Sequence, residues 1–244
     1  MALWRKALRF PIPLANALQR YQAVPYSSKG INMFASHQPV IGAYGRDNPD
    51  NMAHVITFVL MTIQQALHTV PQAMTSVRKE GEKSRFLWGF KTSAWNEIQK
   101  SKALIYEHSM NLYYGHANPE HAERELLYFF SHIEGMGLAK GGFAVQLLFG
   151  LSGCLDSHNI ARLGYDPREF KASRYKAVKD ARRKAQFLDV YIDLCNIAGG
   201  TQVLWDEWCN YVYAKQPIFY RSGEHVSELH LKALNLGGWH RHIS

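Results

Sequence analysis

The chain has 244 residues, of which 47% are hydrophobic and 13% aromatic, so it can bury a full core as one large domain or two small lobes. Its formal charge of +8 and its isoelectric point near 9.3 favour a polyanionic partner, with nucleic acid ahead of an anionic membrane surface. The three widely spaced cysteines argue against a disulfide framework and against a four-cysteine zinc or iron–sulfur site, which fits a reducing cytoplasm.

The N-terminal segment is basic and rich in residues that favour loops. Its first 46 residues contain no acidic side chain but carry Arg5, Lys6, Arg9, Arg20, Lys29 and Arg46. Three interpretations stay open: an organelle transit peptide, a basic arm that lies on phosphate, and a solvated extension. Prolines and glycines predict loops over residues 10–50 around one short helix near residues 13–22. We therefore predict a basic, loop-rich arm at residues 1–49, before a helical domain at residues 50–244.

Helical periodicity dominates the next part of the chain. Asp50 is expected to cap a buried central helix that ends before Pro71, and a further helix is predicted from Trp95 to Tyr114. The longest apolar stretch, at residues 55–61, is far too short to cross a bilayer. No signal-peptide core follows the first basic residues, so we expect a soluble, cytoplasmic protein.

Capping residues and glycines divide the rest of the chain into further helices. One helix is predicted to start at Asn118 and Pro119 and to end at Gly135 and Gly137. The next covers Leu138 to Phe149, where Ala139, Gly141 and Gly142 would allow a neighbouring backbone to come close. Helix, continuous or broken, is predicted from Pro167 to Ala198, and Thr201 and Ser222 start two more helices. No strand-like alternation or repeat occurs, which predicts an all-α protein.

The turn Gly135-Met136-Gly137 joins two of these helices. The start of the second helix exposes backbone amides, and the helix macrodipole makes such a position attractive to an anion. A DNA phosphate is the natural occupant for a basic protein. The alternative is an ordinary helical hairpin in which the glycines only end the first helix.

Two sequence motifs resemble those of the helix-hairpin-helix DNA glycosylase superfamily, especially endonuclease III-type enzymes. These are Ile133-Glu134-Gly135-Met136-Gly137 at the turn and Leu155-Asp156-Ser157-His158 before the following helix. The resemblance covers roughly residues 50–165 and implies a two-lobed helical bundle. It also places Gln64 where a family helix ends in a glutamine facing the DNA gap, and Arg162 where the family has a following arginine.

Two departures from the endonuclease III pattern bear on activity. Lyase members carry a Schiff-base lysine two residues after the second glycine, where this chain has Ala139. Lys140 follows one position later, an offset that rotates a helical side chain by about 100°. The C-terminal cysteine cluster of those enzymes is also missing, so no iron–sulfur cluster, and no other cofactor, is expected.

A narrower resemblance is to the phage-encoded amino acid:DNA transferases of thymine hypermodification. It rests on GLAKGGF at residues 137–143, CLDSHN at residues 154–159 and a C-terminal part unlike that of repair enzymes. It implies transfer of an amino acid such as glycine, or of an amine, onto activated 5-hydroxymethyluracil with loss of pyrophosphate, in the host cytoplasm. The alternatives are a base-excision glycosylase that cleaves the N-glycosidic bond with Asp156 and a DNA-binding module without catalysis.

The candidate site residues follow from these resemblances and from charge. The candidate catalytic residues are Asp156, Lys140 and His158. The candidate DNA contacts are Gly135, Gly137, Leu138, Gln64, Asn159 and Arg162, to which the basic run at residues 168–184 adds Lys171 and Arg174. Purely structural roles stay open for three of these residues: Asp156 can cap a helix, Lys140 can be solvated and Gln64 can be an amide within the core. No metal site is expected, and the expected partners of this monomer are DNA and an amine co-substrate.

Overall fold

The fold is helical throughout residues 33–215 and 226–236, the parts of the chain that this computed structural model describes. These residues form α-helices and short 3-10 turns and contain no strand, which confirms the all-α prediction. The helices are α1 (Met33–Asp47), α2 (Pro49–Met61), α3 (Val70–Glu80), α4 (Phe90–Gly115), α5 (Pro119–His132), α6 (Leu138–Phe149), α7 (Ser157–Arg162), α8 (Ala172–Ala177), α9 (Ala181–Ile197), α10 (Gly200–Lys215) and α11 (Val226–Ala233). Within the described ranges, none of them combines the length and the apolar character needed to cross a bilayer.

Helix α1 corrects the prediction of loops before residue 50. It runs for 15 residues with Pro39 inside it, and it packs on α2 and α6. Val40 and Ile41 are buried, and a Cβ atom on Gly45 would lie only 2.4 Å from Leu148 Cδ2. Burial against neighbouring helices thus outweighs the poor helix propensity of proline and glycine. The short helix predicted near residues 13–22 lies outside the described residues.

Helix α2 is the central helix that the sequence predicts. Nine of its side chains are buried, and it packs against α1, α3, α4 and α6. One detail of the prediction is wrong. Asn48, not Asp50, caps the helix, since its side chain accepts a hydrogen bond of 2.9 Å from the Asn51 amide. The helix ends at Met61, before Pro71 as predicted, and Pro71 lies in the first turn of α3.

The later helices follow the predicted order, with one long helix divided. Asn118 caps α5, and its side chain accepts a 2.9 Å hydrogen bond from the Glu120 amide, as predicted. Helix α6 has the predicted bounds. The helix predicted from Pro167 to Ala198 is broken, with a 3-10 turn at Pro167–Phe170 followed by α8 and α9. Asp180 caps α9 by accepting a hydrogen bond from the Arg183 amide at 2.7 Å, so a second capping residue interrupts the basic run. The start predicted at Ser222 lies outside the described residues.

Buried side chains form two hydrophobic clusters. The larger cluster draws on α1 to α6 together with α10 and α11, and the smaller one is centred on α7, α8 and α9. Helices α5 and α6 contribute to both, since Phe130 and Phe143 belong to the larger cluster and Leu127 and Leu138 to the smaller. These two helices therefore join the two halves of the core.

Two glycines of α6 allow backbone to touch this helix on two sides. A Cβ atom on Gly141 would lie 2.7 Å from the backbone nitrogen of Ser131 in α5. A Cβ atom on Gly142 would lie 2.4 Å from the Gly153 carbonyl oxygen, in the loop that follows α6. Real Cβ atoms are not found so close to backbone, so the predicted close approach is confirmed, and it fixes both α5 and the loop against α6.

Replacement of Gly142 by alanine should therefore destabilise the fold. The added methyl group would collide with a backbone oxygen that cannot rotate away, and overpacking of this kind typically costs about 1–3 kcal/mol. Gly115→Ala is the matched control, because nothing lies within 4 Å of a Cβ atom built there. Urea unfolding measures both variants. Equal free energies of unfolding for the two would contradict the packing described here.

Candidate functional site

The turn between α5 and α6 has the predicted glycine pair, and both glycines are needed for packing. Gly135 has a φ of 75°, and a Cβ atom there would lie 2.8 Å from the ring of Phe90 at the start of α4. A Cβ atom on Gly137 would lie 2.4 Å from Cβ of Ala172 at the start of α8. Met136, between them, is fully buried. The turn is thus clamped between α4 and α8.

The first turn of α6 presents backbone amides without side-chain caps. The N-cap residue is Gly137, which has no side chain to accept a hydrogen bond. The first backbone amides of α6 therefore have no hydrogen-bond acceptor within the helix. The Leu138 side chain is buried, whereas Ala139 and Lys140 are half-buried. A DNA contact by Leu138 would therefore have to run through its backbone amide.

Lys140 points from this first turn to the end of α2. Its Nζ donates a hydrogen bond of 3.0 Å to Oγ1 of Thr62, the C-cap residue of α2, and lies 5.5 Å from the centre of the Phe143 ring. Gln64 follows in the same turn with a φ of 51°, which is unusual for a residue other than glycine, and it is exposed. Gln64 is therefore not an amide of the core, and Lys140 is not a freely solvated side chain.

Lys91 is a second lysine at this place, and the sequence interpretation missed it. It lies in the first turn of α4 and is completely buried. Its Nζ lies 3.5 Å from Oε1 of Gln65 and 5.1 Å from the centre of the Trp88 ring. Burial, and then the charge of Lys140, lower the pKa of Lys91 to about 8. A lysine near a helix start gives no sequence signal of burial.

The two lysines make the end of α2 electropositive. Each belongs to the first turn of a helix, so the positive ends of two helix macrodipoles add to the two ammonium charges. Among the described residues, neither ammonium group forms a salt bridge with a carboxylate. Such a concentration of uncompensated positive charge is suited to an anion.

Asp156 lies at the start of α7 and caps that helix. Its Oδ1 accepts a hydrogen bond of 2.9 Å from the Asn159 amide, and the residue is half-buried. Asn159 itself is 1% exposed, and its Nδ2 donates a 2.9 Å hydrogen bond to the Cys154 carbonyl. The Asn159 side chain is therefore buried and already bonded, and a DNA contact by this residue stays a prediction. The side chains of His158 and Arg162 lie outside the described part of the structure.

A buried tyrosine holds the loop that leads to Asp156. The Tyr191 hydroxyl donates a 2.7 Å hydrogen bond to the Gly153 carbonyl and accepts one of 2.9 Å from the Leu155 amide. The Tyr191 side chain is fully buried. Together with the space left by Gly142, this bridge fixes the loop against α6 only one residue before Asp156.

The charges of Lys140 and Asp156 both act on the buried Cys154 thiol. Burial is the largest effect and raises the pKa of this thiol to about 12. The charge of Lys140 opposes that rise, and the charge of Asp156 adds to it. This sulfur thus lies within electrostatic reach of each of the two predicted catalytic residues.

The basic segment packs beside the hairpin. Lys171 and Arg174 are exposed, while Tyr175 of α8 is fully buried. Lys176 donates a hydrogen bond of 3.3 Å to the carbonyl of Ile133 in the turn. The hairpin and the positive side chains of α8 therefore form one continuous surface.

The described residues offer no evident metal site or reactive thiol. In residues 33–215 and 226–236, no group of three histidine, cysteine, aspartate or glutamate side chains is placed to hold a metal ion. Cys154, Cys195 and Cys209 are free and buried. Burial raises the pKa of each thiol, which keeps it protonated at neutral pH.

Comparison with known proteins adds no relative to this description. No protein-family model matches the chain, and no curated protein or solved structure is significantly similar to it. The chemistry of the site must therefore be inferred from the side chains that the fold brings together.

Lys91 should make the folded protein less stable at neutral pH than a neutral side chain would. Its pKa falls from 10.5 to about 8 on folding. Below pH 8 the folded protein therefore buries a charged ammonium group, which lowers its free energy of unfolding. That cost is relieved as the pH rises from 8 to 10.5, because the folded protein then binds fewer protons than the unfolded chain. Lys91→Met should raise the free energy of unfolding at pH 7 by about 1–3 kcal/mol.

Urea unfolding at pH 7 and pH 10 measures this effect. The advantage of Lys91→Met should shrink at the higher pH. Lys100→Met is the matched control, because Lys100 is exposed on the same helix, and it should change stability little at either pH. A Lys91→Met protein that is no more stable than wild type at pH 7 would contradict the assigned burial of charge.

Proposed function

We propose that this protein is a DNA-modifying enzyme that extrudes a thymine-derived base and transfers an amino acid, such as glycine, or another amine onto it. The acceptor is activated 5-hydroxymethyluracil, and pyrophosphate is the leaving group. One observation carries the proposal: Lys140 and Lys91 lie together at the end of α2, beside the exposed Gln64 and without a salt bridge to a described carboxylate. Asp156 is proposed to complete this site, because its charge and that of Lys140 both act on the Cys154 thiol. This chemistry requires a pair of cations for the leaving group, a carboxylate for the proton and a polar side chain that fills the gap in the DNA.

The hairpin and the basic segment are proposed to hold the DNA backbone. The uncapped amides of α6 suit a phosphate oxygen, and the exposed Lys171 and Arg174 extend the positive surface beside them. These contacts are independent of sequence and set the position of the duplex. The two hydrophobic clusters are compatible with two lobes on either side of the bound base, as in the helix-hairpin-helix glycosylases.

Gln64 is proposed to fill the gap left by the extruded base. It stands in an exposed turn with a positive φ, a conformation that costs energy for a residue with a side chain. Enzymes that act on a base inside a duplex must first move it out of the stack. An amide in this turn can enter the space and hydrogen-bond the orphaned partner base.

The proposed transfer is a substitution at the exocyclic methylene carbon of the base. The amine nitrogen forms a bond to that carbon while the bond from carbon to the pyrophosphate oxygen breaks. Pyrophosphate leaves with the bonding electrons, and the ammonium charges of Lys140 and Lys91 stabilise it. The nitrogen loses a proton to the Asp156 carboxylate as the new bond forms. The products are the amine adduct, pyrophosphate and the proton held by Asp156.

A glycosylase would use the same fold and the same carboxylate in a different way. Asp156 would then stabilise the positive charge that develops on the sugar as the N-glycosidic bond breaks. The lyase type of glycosylase is disfavoured, because Ala139 stands at the position of the nucleophilic lysine and Lys140 is bonded to Thr62. A cationic pair without a carboxylate partner favours an anionic leaving group over a neutral base.

Product analysis tests the proposal. The protein is incubated with glycine and DNA that contains pyrophosphorylated hydroxymethyluracil, and the DNA is then digested to nucleosides for mass spectrometry. The predicted product is a glycyl adduct of the base. A released free base would show a glycosylase instead, and DNA binding without either product would show a non-catalytic module.

Asp156→Asn separates the chemical role of this residue from its capping role. Asparagine caps helices about as well as aspartate, so the unfolding midpoint should stay unchanged. Product formation should fall by about 100-fold or more, because the proton acceptor is lost. Asp180→Asn changes the cap of α9 in the same way and should keep its activity. Full activity in Asp156→Asn would refute the proposed role of Asp156.

A further inference from the structure

A second cleft lies along the N-terminal half of α2, away from the site at its C-terminal end. Its volume is about 630 Å³, and its walls come from α1, α2, α3, α4 and the residues directly after α11. This volume falls in the range of small-molecule sites. Its wall on α2 runs from Asp50 to Thr57, whereas Lys140 bonds to Thr62 at the other end of the helix. The proposed DNA chemistry makes no use of this cleft.

Arg78 supplies a positive charge at the cleft without a carboxylate beside it. The residue lies on α3, is exposed and forms no salt bridge with any described residue. The acidic residue of the cleft, Asp50, is instead bonded to Lys102. A guanidinium group matches a carboxylate in shape, because it can donate two parallel hydrogen bonds.

Thr57 supplies a buried hydroxyl group that has no partner. It lines the cleft, is 3% exposed, and its Oγ1 makes no hydrogen bond. A threonine inside a helix ordinarily bonds to a carbonyl of the preceding turn, and an unsatisfied buried hydroxyl costs free energy. A polar atom of a ligand seated against Thr57 would give this hydroxyl the partner that the described residues do not supply.

The remaining walls of the cleft are neutral or apolar. The His54 ring nitrogen Nδ1 lies 2.9 Å from the Tyr44 hydroxyl. Burial, and then the charge of Arg78, lower the pKa of His54 to about 4, so its ring is uncharged at neutral pH. Met74, Val77 and Trp95 add apolar and aromatic surface. The cleft thus combines the Arg78 guanidinium group, the Asp50 carboxylate that is paired with Lys102, neutral polar groups and an apolar wall.

We propose that this cleft binds a small organic acid. The carboxylate pairs with Arg78, a polar substituent of the acid bonds to the Thr57 hydroxyl, and the apolar body lies against Trp95. The ligand class is a carboxylic acid with an aromatic or aliphatic body, and a hydroxy acid makes the most complete set of contacts. This site does not depend on the activity at the other end of α2.

Binding to the full chain tests the proposal with a matched set of probes. Phenyllactate has the carboxylate, the hydroxyl and the aromatic body, hydrocinnamate lacks the hydroxyl, and hydrocinnamyl alcohol lacks the carboxylate. Isothermal titration calorimetry should show saturable binding in the order phenyllactate, hydrocinnamate, alcohol. Loss of the carboxylate should weaken binding about tenfold or more. Binding of inorganic phosphate alone, or of none of the acids at millimolar concentration, would overturn the proposal.

Three variants locate the binding in this cleft. Arg78→Gln should weaken the binding of both acids about tenfold or more, whereas Arg85→Gln should not, because Arg85 lies over the Phe86 ring away from the cleft. Thr57→Val should weaken phenyllactate more than hydrocinnamate. It should also raise the melting temperature of the free protein, since the unsatisfied hydroxyl is gone. Unchanged affinities in Arg78→Gln would overturn the assignment even if an acid binds.

Discussion

The contact of α6 with backbone on two sides is the constraint on which the candidate site depends. Gly141 lets α5 approach, and Gly142 lets the loop before α7 approach, each to a distance that a methyl group would forbid. Lys140 directly precedes this glycine pair, and the loop delivers Asp156 at its far end. Tyr191 bridges the same loop with two hydrogen bonds, so packing fixes the loop that leads to Asp156 against the helix that carries Lys140.

The site is electrostatically unbalanced, and this is its most informative property. A fold optimised only for stability would not bury Lys91 close to a second lysine at the starts of two helices. Strongly shifted pKa values in a cluster of this kind are typical of functional sites, since the cost is recovered when an anion binds or a charged group leaves. At the other half of α2, Arg78 and Thr57 form a separate arrangement with one unpaired charge, so this central helix carries two distinct candidate sites.

Local signals predicted much of the fold, and tertiary contacts account for most of the errors. The start of α5 at Asn118 and Pro119, the bounds of α6 and the capping role available to Asp156 all depend on neighbours in sequence, and the structure has them. Helix α1 was missed because burial of Val40 and Ile41 outweighs the proline inside it. Lys91 was missed because its surroundings include residues distant in sequence, such as Gln65 in the turn after α2. The burial of the Asn159 side chain could not be predicted, because its bond to the Cys154 carbonyl depends on how the loop folds.

The central claim is that an extruded base meets Asp156 and Lys140 beside the end of α2. A crystal structure of the protein with a short duplex containing one hydroxymethyluracil nucleotide tests it most directly. The account predicts that this nucleotide is rotated out of the stack, with its exocyclic oxygen near the lysine pair and Gln64 in the gap that it leaves. A duplex with every base stacked, or one bound with that nucleotide far from Asp156, would contradict the account.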